Sequence, residues 1–372
     1  MNGGFKADVN LKLELKPERG DLPGEIGCFG EIPEHPEPVE PYYGLNLRSG
    51  QTLDGRFLLA EQIGNSGMAT IFKAQDLQGG DEPVAIKVPH MRYEADPNFF
   101  SRFQREEEIG RKLDHPLILK FVPVEKKSRP YIVTEYVRGC TLSHLLPRKA
   151  PLPERDALGI ASLVCVALEH MHERGVVHRD LKPGNIMVCR DHSLRIVDFG
   201  IASASTCRKL TLGAGLSMPL GTPEYMAPEQ VKNEPTDERT DIYSLGAVLY
   251  EMLTGTPPFQ NDNCWVSMRN RVTGDPVAPR KLRREISAQA EEIVLHALQR
   301  NPAERYQTVR AFRAELDAPQ DVVVSGYSRR LQSPRWKLGM RETPMIAGTL
   351  VGLGFIALQV LGFLFLRHVL KK

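Results

Sequence analysis

The apolar residues of this chain change period at Gly139, and that change limits the fold more than any other feature. Upstream, "FLLAEQIG" (57–64), "ATIFKAQD" (69–76) and "PVAIKV" (83–88) are short β-type runs bounded by Gly and Asp, so three successive antiparallel strands are expected. "NFFSRFQREEEIGRKL" (98–113) then carries Phe99, Phe103, Ile109 and Leu113 at helical spacing behind Asp96-Pro97, a pair suited to a helix start. Two further strands are expected near "ILKFVPVE" (118–125) and "PYIVTEYV" (130–137). Downstream, "RDALGIASLVCVALEHMHERG", "TDIYSLGAVLYEML" and "AEEIVLHALQR" are long segments of helical period. The pattern predicts an α+β chain: a small β-rich lobe with one helix, then a large α-helical lobe.

A chain of 372 residues has room for two lobes and appendages. Its formal net charge of +2, with no basic stripe in the sequence, argues against a nucleic-acid partner. The six cysteines (Cys28, Cys140, Cys165, Cys189, Cys207, Cys264) form no C-x-x-C pair and stand at no zinc-ligand spacing, so free thiols in a reducing compartment are expected. The opening "MNGGFKADVN" lacks the basic-then-apolar order of a secretory signal. Residues 1–50 join an alternating "VNLKLEL" to the proline- and glutamate-rich "EIPEHPEPVEPYY", the composition of an extended, largely disordered extension.

Near the other end, Met345 to Leu366 runs 22 residues without a charge. A helix of that length reaches roughly 33 Å, about the thickness of a hydrocarbon core, and it would lack the polar face of a soluble helix. One transmembrane helix is therefore expected at 345–366, with membrane lipid around it and a short tail at 367–372. The linker 318–343 is basic toward that segment through Arg329, Arg330, Arg335, Lys337 and Arg341, as on a cytoplasmic face. Gly348-x-x-x-Gly352 offers a helix-dimerisation face, and so a homodimer as a partner.

The chemistry concentrates in "HRDLKPGN" (178–185) and "DFG" (198–200). Phosphoryl transfer asks a protein for a placed hydroxyl, neutralising metal ions and a clamp on the phosphates. Asp180 can accept a hydrogen bond from an incoming hydroxyl, and Lys182 can reach the transferring group. Asn185 and Asp198 supply oxygen ligands of the kind magnesium prefers. With these motifs in this order, the chain resembles the eukaryotic-like (Hanks-type) serine/threonine protein kinases, including bacterial membrane-anchored members, over Phe57 to Asp317. The resemblance implies a bilobal protein-kinase fold at 57–317, ATP and Mg2+ as cofactors, and transfer of a γ-phosphoryl group to Ser/Thr hydroxyls of protein substrates, the chain itself among them.

Further roles follow from that resemblance. Lys87 of "VAIK" would pair with the α- and β-phosphates and with a glutamate of the next helix. Of Glu106, Glu107 and Glu108, only Glu106 shares the apolar face of Phe99, Phe103 and Leu113, so Glu106 is assigned and the other two are read as solvated charges. Backbone groups of Glu135 and Val137 would bind adenine, with Thr134 behind it and Ile63, Ile71, Ala85 and Met187 above and below the base. "GTPEYMAPEQ" (221–230) resembles the end of an activation segment, and Lys182 with Thr222 resembles the serine/threonine-specific pattern. Asp241 and an Arg305–Glu229 pair are read as anchors of the fold. Arg179 beside Asp180 implies control by phosphate on the activation segment, with Thr211 and Ser217 as the favoured positions.

Two departures from the family pattern stand out. In "IGNSGMATIF" (63–72) Gly64 and Gly67 remain, but Ser66 and Ala69 occupy the other two glycine positions, each expected to cost one amide–phosphate hydrogen bond. Gly110, one turn after Glu106, stands where the family usually has a larger apolar residue packing toward the "DFG" phenylalanine. A thin contact there predicts a mobile helix whose Lys87–Glu106 pairing needs a second event. The rival readings are a pseudokinase scaffold that binds nucleotide and recruits partners at the membrane, and a small-molecule kinase. The intact catalytic residues oppose the first, and "GTPEYMAPEQ" opposes the second.

Overall fold

The computed structural model describes residues 47–332 except 66, 67, 81, 95, 199–208, 213–215 and 220–222; at 209–212 and 216–219 it describes the backbone alone. Most of the N-terminal extension and the whole apolar run 345–366 lie outside the described residues, and among those described no helix is long and apolar enough to cross a membrane.

The first lobe is a five-stranded antiparallel sheet of sequential order: β1 (Thr52–Leu53), β2 (Phe57–Asn65), β3 (Ala69–Asp76), β4 (Pro83–Pro89) and β5 (Ile132–Glu135). Strand alternation does the sorting. Val84, Ile86 and Val88 enter a core with Phe57, Leu59, Phe72, Tyr131 and Val133, while Ala85 and Lys87 on the opposite face stay half-buried. A short helix α1 (Met91–Glu94) and then α2 (Pro97–Gly110) interrupt the sheet. Pro97 at the first helical position needs no hydrogen-bond acceptor, and the Asp96 carboxylate accepts the Phe99 amide at 3.4 Å.

The second lobe begins with β6 (Gly139–Thr141), α3 (Leu142–Lys149) and α4 (Glu154–His172). β7 (Ile186–Cys189) and β8 (Leu194–Ile196) complete a three-stranded sheet with β6, and β9 (Lys209–Leu212) and β10 (Leu216–Pro219) form a hairpin. The chain continues through α5 (Pro228–Lys232), α6 (Glu238–Thr254), α7 (Cys264–Thr273), α8 (Pro279–Leu282), α9 (Ala288–Ala297), α10 (Val309–Asp317) and α11 (Tyr327–Arg330). α4 and α6 are apolar on nearly every side, because both lie inside the larger core, and Phe99 and Phe103 of α2 join it. Asp237 opens α6 by accepting the Arg239 amide, and Gly255 closes it in the left-handed region, φ 85°.

Three expectations are corrected. "ILKFVPVE" is no strand: it makes two isolated bridges, Ile118 to Ile196 and Phe121 to Thr134, and Pro123, without an amide proton, cannot extend the second. The helix containing Glu106 ends at Gly110 rather than Leu113. Glu107 is no solvated charge, since it accepts from Lys127 at 2.6 and 2.7 Å and from Arg111 at 2.6 Å. The first part of the linker is fastened to the second lobe. The buried Glu292 carboxylate accepts the amides of Ser325, Gly326 and Tyr327, and Asp275 exchanges hydrogen bonds with the backbone of Gln332. Cys140, Cys165, Cys189 and Cys264 are free thiols, while Cys28 and Cys207 lie outside the described residues.

Candidate active site

The cleft face of the first lobe follows from strand register. Gly64 stands opposite Ile71 and Ile71 opposite Lys87, while Ala85 stands opposite both Lys73 and Thr134. Lys87 is thereby aimed from β4 at the helix that follows. Its Nζ donates to Glu106 at 2.8 Å and to Asp198 at 2.7 Å, so one ammonium ties β4, α2 and the end of the β8 segment together. Burial disfavours the Lys87 charge, but Asp198 and Glu106 outweigh it and hold its pKa above the ordinary lysine value. Lys87 in turn holds the Asp198 carboxyl below the usual aspartate range.

Asp180 and its neighbours are supported from below. Asp241, fully buried in α6, accepts the amides of His178 and Arg179 at 2.8 Å each and pairs with the His172 ring at 2.8 Å. This carboxylate fixes Arg179 at φ 65°, a left-handed conformation that non-glycine residues rarely adopt, and Asp198 is also left-handed at φ 53°. His178 is fully buried, and burial lowers its pKa, so the ring under the catalytic loop is neutral. Lys182 Nζ donates to Asp180 Oδ2 at 2.7 Å. Asn185 Nδ2 donates to the Asp180 carbonyl at 2.8 Å and to its carboxylate at 3.1 Å.

The donor set fits magnesium. With its nitrogen committed to Asp180, the Asn185 amide keeps its oxygen as an acceptor. Asp198 gives one carboxylate oxygen to Lys87 and is 45% exposed at the side chain, so it can still meet a ligand. Hard oxygen donors of this kind suit Mg2+ held jointly with phosphates.

The structure brings Lys87, Glu106, Asp180, Lys182, Asn185 and Asp198 into one connected group, its two halves joined where Asn185 Nδ2 donates to the Asp198 carbonyl at 3.4 Å. Ile63, Ile71, Ala85 and Met187 are half-buried around the cleft, and Thr134 is buried behind it. Glu135 donates its amide to the Lys120 carbonyl and accepts from the Lys120 amide at its side chain. Val137, two residues beyond β5, makes no backbone hydrogen bond among the described residues. Ser66, Gly67, Phe199, Gly200 and Thr222 lie outside the described residues. Ala69 is a buried residue at the start of β3, opposite Pro89. Thr211 and Ser217 are direct cross-strand partners in the β9–β10 hairpin. Arg305 makes a bidentate contact with Glu229, at 2.8 and 2.7 Å.

Gly110 leaves no gap in the packing, while Phe199, toward which a larger residue there would pack, lies outside the described residues. A Cβ placed there would meet the Phe121 ring at 2.3 to 2.6 Å, so the space is filled, and the Lys87–Glu106 pair is already formed in the single chain. Phe121 drew no attention in the sequence because its partner is eleven residues away, outside the helix.

A β-rich lobe on a helical lobe, with a lysine clamped between two carboxylates over an Asp-Lys-Asn group, is the architecture of the protein-kinase class. The family model for the protein kinase domain matches residues 57–316, and the chain belongs to that family. Among relatives, serine/threonine-protein kinase PknB of Mycolicibacterium smegmatis is 38% identical over 277 residues, covering 73% of this chain and 44% of the relative. PknB of Mycobacterium leprae is 37% identical over 310 residues (79% and 49%), and a probable serine/threonine-protein kinase of Streptomyces coelicolor is 38% identical over 281 residues (74% and 41%). Its likeness is thus to the eukaryotic-like serine/threonine kinases of bacteria, and the match spans less than half the length of these relatives.

Proposed function

We propose that the chain is an ATP-dependent serine/threonine protein kinase, tethered to the membrane by a single helix at 345–366 with its catalytic domain on the cytoplasmic side. The observation that carries the catalytic reading is Lys87 held by both Glu106 and Asp198, beside Asp180 and Asn185. An ammonium so placed orients the α- and β-phosphates of ATP. Asp180 accepts the hydrogen bond of a Ser or Thr hydroxyl and aligns its oxygen for attack, while Lys182 neutralises charge on the transferring group. Asn185 and Asp198 hold Mg2+, which when bound offsets the charge of the phosphates. The half-buried row of Ile63, Ile71, Ala85 and Met187 receives the base, and the backbone of Glu135 and Val137 reads its edge.

Membrane attachment rests on the uncharged run itself, and the basic residues before it favour the cytoplasmic side. Arg179, next to Asp180 in sequence, supports control by phosphate on the activation segment, where Thr211 and Ser217 are cross-strand partners.

Incubation of the purified chain with Mg-ATP and a generic protein substrate, followed by mass spectrometry, tests the activity. Phosphoserine or phosphothreonine is expected with the wild-type chain and absent with Asp180→Asn. Nucleotide binding without any transfer would assign a scaffold role instead.

A further inference from the structure

Past Thr222 the chain makes a short 3-10 turn, Pro223–Tyr225, and continues through Met226 and Ala227 into α5. This stretch is tied to the catalytic loop at its far end. Gln230 Nε2 donates to the Arg179 carbonyl at 2.7 Å, one residue before Asp180, and Gln230 Oε1 accepts the Ala227 amide at 2.9 Å. At its near end the Tyr225 hydroxyl donates to Glu251 of α6 at 2.6 Å.

A second hold on the near end comes from α7. Arg271 is the largest side chain wholly buried among the described residues. One Nη donates to the Pro223 carbonyl and the other to the Glu224 carbonyl at 2.6 Å, with the guanidinium 5.5 Å from the centre of the Phe259 ring. A buried guanidinium is costly unless acceptors take its protons, and here two main-chain carbonyls take them. The contrast with Arg305 is informative. Arg305, also buried, clamps the Glu229 side chain, whereas Arg271 grips backbone and so fixes where residues 223 and 224 lie whatever their side chains.

We infer that Arg271 is a positioning residue for the protein substrate: through the Pro223 and Glu224 carbonyls it sets the 223–230 stretch against the catalytic loop, and with it the place where an acceptor peptide presents its hydroxyl to Asp180. The inference rests on the catalytic reading above and deepens it. Releasing residues 223 and 224 shifts a peptide lying on that stretch without disturbing Lys87, Asn185 or Asp198. A misplacement of about 1 Å costs on the order of a hundredfold in rate. Transfer of phosphate to water needs no such platform, so the two reactions part company at this residue.

The test compares wild type, Arg271→Met and Arg271→Lys. Each is assayed with a degenerate serine/threonine peptide library, for the KM of Mg-ATP, and for ATP hydrolysis without peptide. Methionine keeps an unbranched apolar stem and removes the donors; lysine keeps one charged donor. Arg271→Met should lose roughly ten- to a hundredfold in kcat/KM for peptide and flatten the sequence preference around the acceptor, with the KM of Mg-ATP and hydrolysis within about twofold of wild type. Arg271→Lys should recover part of the loss. The inference is overturned if Arg271→Met keeps both peptide kcat/KM and preference, or if hydrolysis falls in parallel with peptide transfer, as general damage to the lobe would require. If Arg271→Met does not fold, Arg271→Lys decides by the same split. Should the wild-type chain transfer no phosphate to any peptide, the catalytic reading falls and the positioning role with it. Hydrogen exchange over 224–227 then decides the anchor alone: acceleration in the variant with α4 unchanged upholds it, and wild-type rates refute it.

Discussion

Removing one carboxylate should free the tail that leads toward the apolar segment. Glu292 is 4% exposed, and it accepts the amides of Ser325 at 2.6 Å, Gly326 at 3.0 Å and Tyr327 at 3.2 Å, together with the Ser325 hydroxyl. A hydrogen bond to a charged acceptor contributes about 1.5–3 kcal/mol. Here the donors share two oxygens and return to water when the tail lifts, so Glu292→Ala should cost about 3 kcal/mol of docking rather than the sum. That shifts the opening equilibrium on the order of a hundredfold. Hydrogen exchange read by mass spectrometry on a peptide covering 322–330 should show that acceleration, with α6 peptides unchanged as the internal reference. Glu292→Gln keeps an acceptor oxygen but no charge and should fall between. Tail amides that exchange at the wild-type rate in Glu292→Ala would refute the clasp and leave the Asp275–Gln332 contact and the His296–Tyr327 stack as sufficient. Acceleration in α6 as well would mean that the substitution loosens the lobe and not the tail.

Two other substitutions separate roles that the sequence runs together. Burial raises the Glu229 carboxyl, but Arg305 overcomes it and holds the pKa below the usual 4.5, so the stability from this pair is present above that pH and lost as pH falls below it. Arg305→Met should cost about 3–5 kcal/mol, lower the melting temperature by about 10 °C, and abolish that acid-side loss in melts taken from pH 7 to pH 3. Ala69→Gly should destabilise the chain by about 0.5–1 kcal/mol with no gain toward ATP, because Ala69 is packed in β3, whereas Ser66→Gly should strengthen ATP binding by up to about tenfold. Melting curves and ATP titration of both variants check this, and a gain in ATP affinity at 69 would refute the packing argument.

Why some of this was legible and some was not has a physical cause. β2, β3 and β4 each run seven residues or more with one buried face, long enough for alternation to show. The strands β6 and β8 have three residues each, too few for a period, so a three-stranded sheet at the head of the helical lobe stayed invisible. Lys87, Asp180, Asn185 and Asp198 were legible because the chemistry demands those residue types at short spacings. Glu106 was legible because a helix face singles it out among three glutamates; the same argument misread Glu107, whose partner Lys127 lies beyond the helix.

The errors share that form. Gly110 read as a weakness and Glu107 as solvated because each is completed by a residue outside its own helix, Phe121 and Lys127 respectively. Local pattern reports what a residue demands of its own helix or strand; it is silent on what another segment supplies. A departure from a family pattern therefore has two physical meanings that sequence alone cannot separate: a gap in the packing, or a space that the facing residue fills instead. At Gly110 the separation comes from one distance, 2.3 Å to the Phe121 ring, which leaves no room for the side chain whose absence had suggested a defect.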